Sequence, residues 1–170
     1  MPSACPSRIR GLRHCLPMDD TELTNWLASE RFPEAASLQE RLQGRIANAT
    51  TPLMLAARLG RADLVCTLLA RGADPHAMNA DANGALWFAC FSNCEACMRA
   101  LINAGAPLDS QNVNGATALV YAASAGKTAI VHLLLGAGAN RSLQTLDGFT
   151  ALELAANRAC MKMLKQTPPA

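Results

Sequence analysis

Aromatic residues are scarce in this sequence, seven among 170, while hydrophobic residues make up 51%. A core of that composition is built from small and aliphatic side chains, which suits tight packing of helices. An excess of one charge is lacking as well. The formal net charge is +2, and no run of Lys and Arg forms a basic stripe, so the electrostatic footprint of a nucleic-acid binder is missing. No segment approaches the roughly 18 consecutive apolar residues of a membrane-spanning helix. The opening MPSACPSRIRGLRHCLP also lacks the continuous apolar segment of a secretory signal, and the expected location is the cytoplasm. The seven cysteines, Cys5, Cys15, Cys66, Cys90, Cys94, Cys97 and Cys160, are odd in number and scattered. That pattern fits thiols in a reducing compartment better than a disulfide framework. No Ser-His-Asp set, phosphate-cradling glycine loop or close carboxylate pair is legible, and His14, His76 and His132 read as solvated. The expectation is a chain without catalytic activity or cofactor.

What the sequence does contain is a period. Leu53 returns as Leu86, Leu119 and Leu152, each 33 residues on, and Ala56 returns as Ala89, Ala122 and Ala155. Gly72-Ala73 returns as Gly105-Ala106 and Gly138-Ala139. A repeat of this length holds one supersecondary unit whose apolar face is covered only by stacking on its neighbours. Each unit reads as an extended finger and two antiparallel helices, here roughly 52–59 and 62–70. Ala56 and Ala57 mark where neighbouring first helices approach closely. Leu64, Val65, Leu68 and Leu69 form the inward face of the second helix, repeated as Cys97, Met98, Leu101, Ile102 and as Ile130, Val131, Leu134, Leu135. Gly72 supplies the left-handed residue that ends the helix.

The period divides the chain into a flexible tail at 1–17, capping helices at 18–47, and repeats at 48–80, 81–113, 114–146 and 147–167. Asp19, Asp20 and Thr21 supply an N-cap and first-turn acids ahead of Leu23, Trp26 and Leu27. Met18 is read as the natural start. Pro33 is read as a first helical position, followed by a stripe of Ala35, Ala36, Leu38 and Leu42. This pair falls outside the 33-residue pattern and is expected to cover the apolar end of the stack. The last unit, DGFTALELAANRA onward, is expected to be a helix pair cut short after Met163 and Leu164. There the column of Leu68 falls on Thr167, Pro168 and Pro169 stop the helix, and Lys162, Lys165 and Gln166 make a polar end, so the array is read as closed at both ends.

TPLMLAA, the Gly-Ala pairs, NGATALVYAA and DGFTALELAA closely resemble ankyrin repeats over about residues 48–165. The resemblance implies an all-α solenoid of stacked helix pairs with finger loops and polar caps, acting as a protein-binding scaffold. Repeat two departs from the pattern, reading DANGALWFAC with Ala82 where glycine is expected and Gly84 where threonine is expected. Its turn is expected to move to Asn83-Gly84 and its finger to be displaced. The resemblance places the contact surface on the finger tips and the exposed side of the first helices. Carried onto this sequence, that surface comprises Asp81, Asn83, Trp87, Phe91 and Ser92, with Thr50, Met54, Arg58 and Leu59 before them. After them come Asn114, Ala116, Val120, Ser124 and Ala125, then Phe149, Glu153 and Asn157. The short array of small residues also resembles bacterial ankyrin proteins, which are often accessories to metabolic or redox enzyme systems, including those of nitrogen-fixation gene groups. The expected partner is another protein, bound by a scaffold that is a monomer alone.

Two constellations stand out beside the period. Trp87, Phe88 and Phe91 crowd one short helix, where Trp87 and Phe91 share a side and Phe88 is rotated from Trp87 by about 100°. Not all three rings can be buried together, so Trp87 and Phe91 become candidate partner anchors, flanked by Arg58 and Phe149. The alternative is that the rings fill space left by Ala82 and the altered finger. The second constellation is Cys90-x3-Cys94-x2-Cys97, a spacing able to hold zinc or an iron–sulfur cluster and found in radical enzymes, whose barrel needs a far longer chain. Cys90 and Cys97 stand in the buried columns of Ala57 and Leu64 and also read as small hydrophobes. Cys94, near a helix start, is the candidate reactive thiol. No fourth ligand is evident, since His76 is in a finger and His132 on the next outer helix.

Overall fold

Threonine marks where the first helices begin. Its hydroxyl accepts the backbone N–H three residues on, at 3.3 Å for Thr51 and Met54 and at 3.2 Å for Thr117 and Val120, filling one of the donors a helix start leaves unpaired. In the computed structural model, which describes residues 18–35 and 37–166, the helices follow in order. They are α1 (Asp20–Ser29), α2 (Leu38–Leu42), α3 (Pro52–Arg58), α4 (Ala62–Ala70), α5 (Ala85–Phe91), α6 (Glu95–Asn103), α7 (Ala118–Ser124), α8 (Thr128–Gly136) and α9 (Arg158–Lys165). The tail at 1–17, with Cys5, His14 and Cys15, lies outside the described residues, as do Ala36, Thr167, Pro168 and Pro169.

First helices stack on first helices, α3 on α5 on α7, and second helices on second helices, α4 on α6 on α8 on α9. The small columns permit this. Ala56, Ala57, Ala89, Cys90, Ala122 and Ala123 are all fully buried, and larger side chains there would force the helices apart. Leu64, Leu68, Cys97, Leu101, Ile130 and Leu134 fill the layer beneath them. The fingers are joined by a regular ladder, in which Ala80 N–H donates to Asn48 O, Val113 N–H to Asp81 O, and Leu146 N–H to Asn114 O. Each finger therefore inherits its position from the one before it.

Repeat two keeps its place in that ladder, contrary to the expected displacement. The left-handed residue is Ala82 (φ 59°), in register with Gly115 and Gly148, while Gly84 is extended and precedes α5 as its N-cap. The Asn79 side chain holds the turn, its Oδ1 accepting from Asp81 N at 3.0 Å and Asn83 N at 2.8 Å. Alanine at this φ is strained, and the hydrogen bonds above and below outweigh that strain.

Both ends depart from the simplest reading. Asp19 caps α1 with a reciprocal bond from Glu22, but Pro33 begins no helix; α2 starts at Leu38 under the Ser37 hydroxyl. The first two helices are tied to the end of α4. Met18 N–H donates to Thr67 Oγ1, Arg71 pairs with Asp20, and Gln39 Nε2 donates to Arg71 O. At the other end the first helix of the last repeat is only a turn at 151–154. Ala156 N–H donates to Ala123 O of the preceding repeat, not along its own helix. Asn157 then caps α9, which therefore begins three residues ahead of the period. The inward positions of α9 are Cys160 and Leu164, both buried; Leu164 is also inward under the strict period, but Cys160 takes the place expected for Met163, which is only half-buried.

Candidate protein-binding face

The 33-residue register that stacks the first helices also aligns one exposed position on each: Arg58, Phe91 and Ser124. Phe91 is 49% exposed, and Leu59, beside Arg58, is 52% exposed. Asp81, Asn114, Phe149 and Glu153 are likewise exposed. Asp81 and Asn114 lend their carbonyls to the finger ladder, and the Asp81 carboxylate accepts from Asn48 Nδ2 at 2.5 Å.

Five residues proposed for this surface are otherwise engaged. Met54 is 1% exposed and Asn83 is 8% exposed. Met54 turns under the start of α3, where its sulfur meets Thr51 N–H at 3.4 Å; Asn83 is covered where its finger enters α5. Val120 is buried as well. Ser92 Oγ donates to Ala57 O at 2.8 Å and so stitches two repeats together. Asn157 leaves the aligned column because the last first-helix is missing. Glu153 stays exposed, but its carboxylate accepts from both Thr150 N and Thr150 Oγ1, and these bonds hold its pKa below the ordinary value.

The rings divide as their angular spacing requires. Phe88 is buried, Trp87 is half-buried and Phe91 stands outward. Trp87 and Phe91 lie nearly parallel, with centroids 6.1 Å apart, and Phe88 meets Trp87 edge-on at 5.5 Å. A fourth ring, from Tyr121 on α7, packs 4.9 Å from Trp87 and 6.3 Å from Phe91. Tyr121 was missed in the sequence, although it sits one period after Phe88 and so must face the neighbouring rings. Lys127 completes the group: its Nζ donates to Phe91 O at 2.9 Å and lies 5.6 Å from the centroid of the Tyr121 ring. A cation at the last carbonyls of α5 opposes the helix dipole there and fixes the Phe91 backbone. Burial raises the Tyr121 pKa, and the nearby Cys90 raises it further.

The cysteines do not converge. Cys90 is sealed beneath α5, its Sγ 3.6 Å from Ala118 O of the next repeat, and burial pushes its thiol up to about 12. Cys94 turns toward the preceding repeat, with Sγ 3.5 Å from Gly60 O, and caps α6 by accepting from Cys97 N. Cys97 is fully buried. Among the described residues no group of three His, Cys, Asp or Glu side chains is arranged to hold a metal ion. His76 and His132 are exposed. No helix of the described residues is long and apolar enough to cross a membrane.

Comparison with known families agrees with this geometry. The family model for ankyrin repeats, built of three copies, matches residues 53–145 and again 86–168. No curated protein matches the chain at a significant level.

Proposed function

The chain belongs to the ankyrin-repeat family, and from that premise we propose that it is an adaptor that binds another protein on the face shared by its first helices and finger tips. Repeats of this family generally mediate protein–protein interaction and are typically non-enzymatic. The observation that carries the finer reading is Phe91, half-exposed yet held by stacking on Trp87 and Tyr121 and by Lys127 on its carbonyl. An outward aromatic ring that is already immobilised loses little conformational entropy on binding. Rings of this kind serve as interface anchors. Arg58, Leu59, Asp81, Asn114, Ser124 and Phe149 would surround it as the rim. We place the protein in the cytoplasm of a bacterial cell, as a monomeric accessory to an enzyme system.

Affinity capture from a native extract, with mass spectrometry to identify what is retained, tests this reading. Phe91→Ala and Leu59→Ser should each preserve the circular dichroism spectrum. Phe91→Ala should weaken the recovered complex by about 30-fold, the equivalent of about 2 kcal/mol. Equal recovery by wild type and both variants would overturn the assignment of this face.

A further inference from the structure

Asn83 and Trp87 are four residues apart at the entrance to α5, and each carries a polar atom that is buried without a hydrogen-bond partner, Asn83 Oδ1 and Trp87 Nε1. Both residues line one small cavity at the base of the second finger, whose wall also includes Pro75, Ala82, Pro107, Leu108 and Asn112. A buried indole N–H and a buried amide oxygen are each costly when unpaired, and native interiors rarely leave them so. One is a donor and the other an acceptor.

We propose that this cavity is a binding site for a single water molecule that accepts from Trp87 Nε1–H and donates to Asn83 Oδ1. The volume of about 10 Å³ matches the room that one water needs and excludes a larger ligand. Ser110, also on the wall, brings a third polar side chain to a site where buried waters commonly make about three hydrogen bonds. The pair is peculiar to repeat two. Counterparts of Asn83 one and two periods on are Ala116 and Phe149, those of Trp87 are Val120 and Glu153, and repeat one has Thr50 with Met54. The water positions the ring. Trp87 stacks on Phe91 and packs tilted against Tyr121, and its N–H is tied through the water to the finger that the Asn79 side chain holds.

The test is cross-relaxation between water and the two tryptophan indole protons of the full-length ¹⁵N-labelled chain, with Trp26→Phe used to assign the signals. The Trp87 indole proton should show a cross-peak with the sign of a water that stays longer than the protein takes to tumble. Asn83→Asp keeps an acceptor and should keep the peak. Asn83→Leu should lose it, with the Trp87 N–H exchanging about tenfold faster, the factor that accompanies loss of one ordinary hydrogen bond. Absence of a long-lived water at Trp87 in the wild type would overturn the proposal. So would a peak that persists unchanged in a folded Asn83→Leu. Should Asn83→Leu fail to fold, the wild type and Asn83→Asp decide the matter, since loss of the peak in a folded Asn83→Asp also counts against the bridge.

Discussion

Replacing Asn157 with alanine separates the register of the structure from the register of the bare period. Under a strict 33-residue spacing Asn157 ends an exposed first helix, in the column of Arg58, Phe91 and Ser124, and alanine there is neutral or mildly favourable. In the structure Asn157 makes two bonds at once, Oδ1 accepting from Cys160 N at 2.8 Å and Nδ2 donating to Gly126 O at 3.0 Å. Loss of an N-cap costs about 1 kcal/mol, and loss of the inter-repeat bond about another 1 kcal/mol. With a urea dependence of about 2 kcal/mol per molar for a chain of this size, the midpoint should fall by about 1 M. Asn157→Asp keeps the cap without the donor and should lose about half as much. Because α9 ends the stack of second helices and packs chiefly on α8, amide exchange should accelerate first over residues 158–165. A midpoint for Asn157→Ala within about 0.2 M of wild type would refute the shifted register. Cys160→Asp gives an independent check. The period makes residue 160 a helix cap that welcomes a carboxylate, whereas its full burial predicts a loss of about 3 kcal/mol or more.

Two further perturbations probe the inside of the stack. Ala82→Gly relieves a left-handed alanine (φ 59°) and should stabilise the fold by about 1 kcal/mol, seen as a higher urea midpoint; a lower midpoint would mean that the alanine methyl contributes more packing than its backbone costs. Cys90→Ala should flatten the alkaline stability profile. Burial raises the Cys90 pKa to about 12 from 9.0, so the unfolded thiol ionises first and stability is lost as pH rises through that window, by up to about tenfold in the folding constant per pH unit. Equal slopes for wild type and Cys90→Ala between pH 9 and 12 would contradict a sealed thiol.

Much of the architecture was legible because stacking imposes identical demands at identical spacing. A small residue wherever first helices meet, and a leucine beneath it, repeat every 33 residues, so helix pairing and inward faces followed from counting. The face itself was half legible. Phe91 and Arg58 are exposed as their columns suggest, but Met54 and Val120 share the Trp87 column and are buried, since a column fixes direction and not depth. Tyr121 and Lys127 join the ring cluster from the adjacent repeat, and their part depends on how closely two repeats approach.

The sequence by itself determined that this is a repeated helix pair, which columns are small, and where aromatic side chains are concentrated, because periodic packing leaves a periodic record. Only the tertiary structure decided that Ala82 would be forced into a glycine conformation, that the last first-helix would be reduced to one turn, and that Cys90 and Cys94 would turn toward opposite neighbouring repeats. Those outcomes turn on hydrogen bonds between residues about 30 positions apart, such as Val113 to Asp81 and Ala156 to Ala123, whose strength outweighs the local preference of the residues that yield to them.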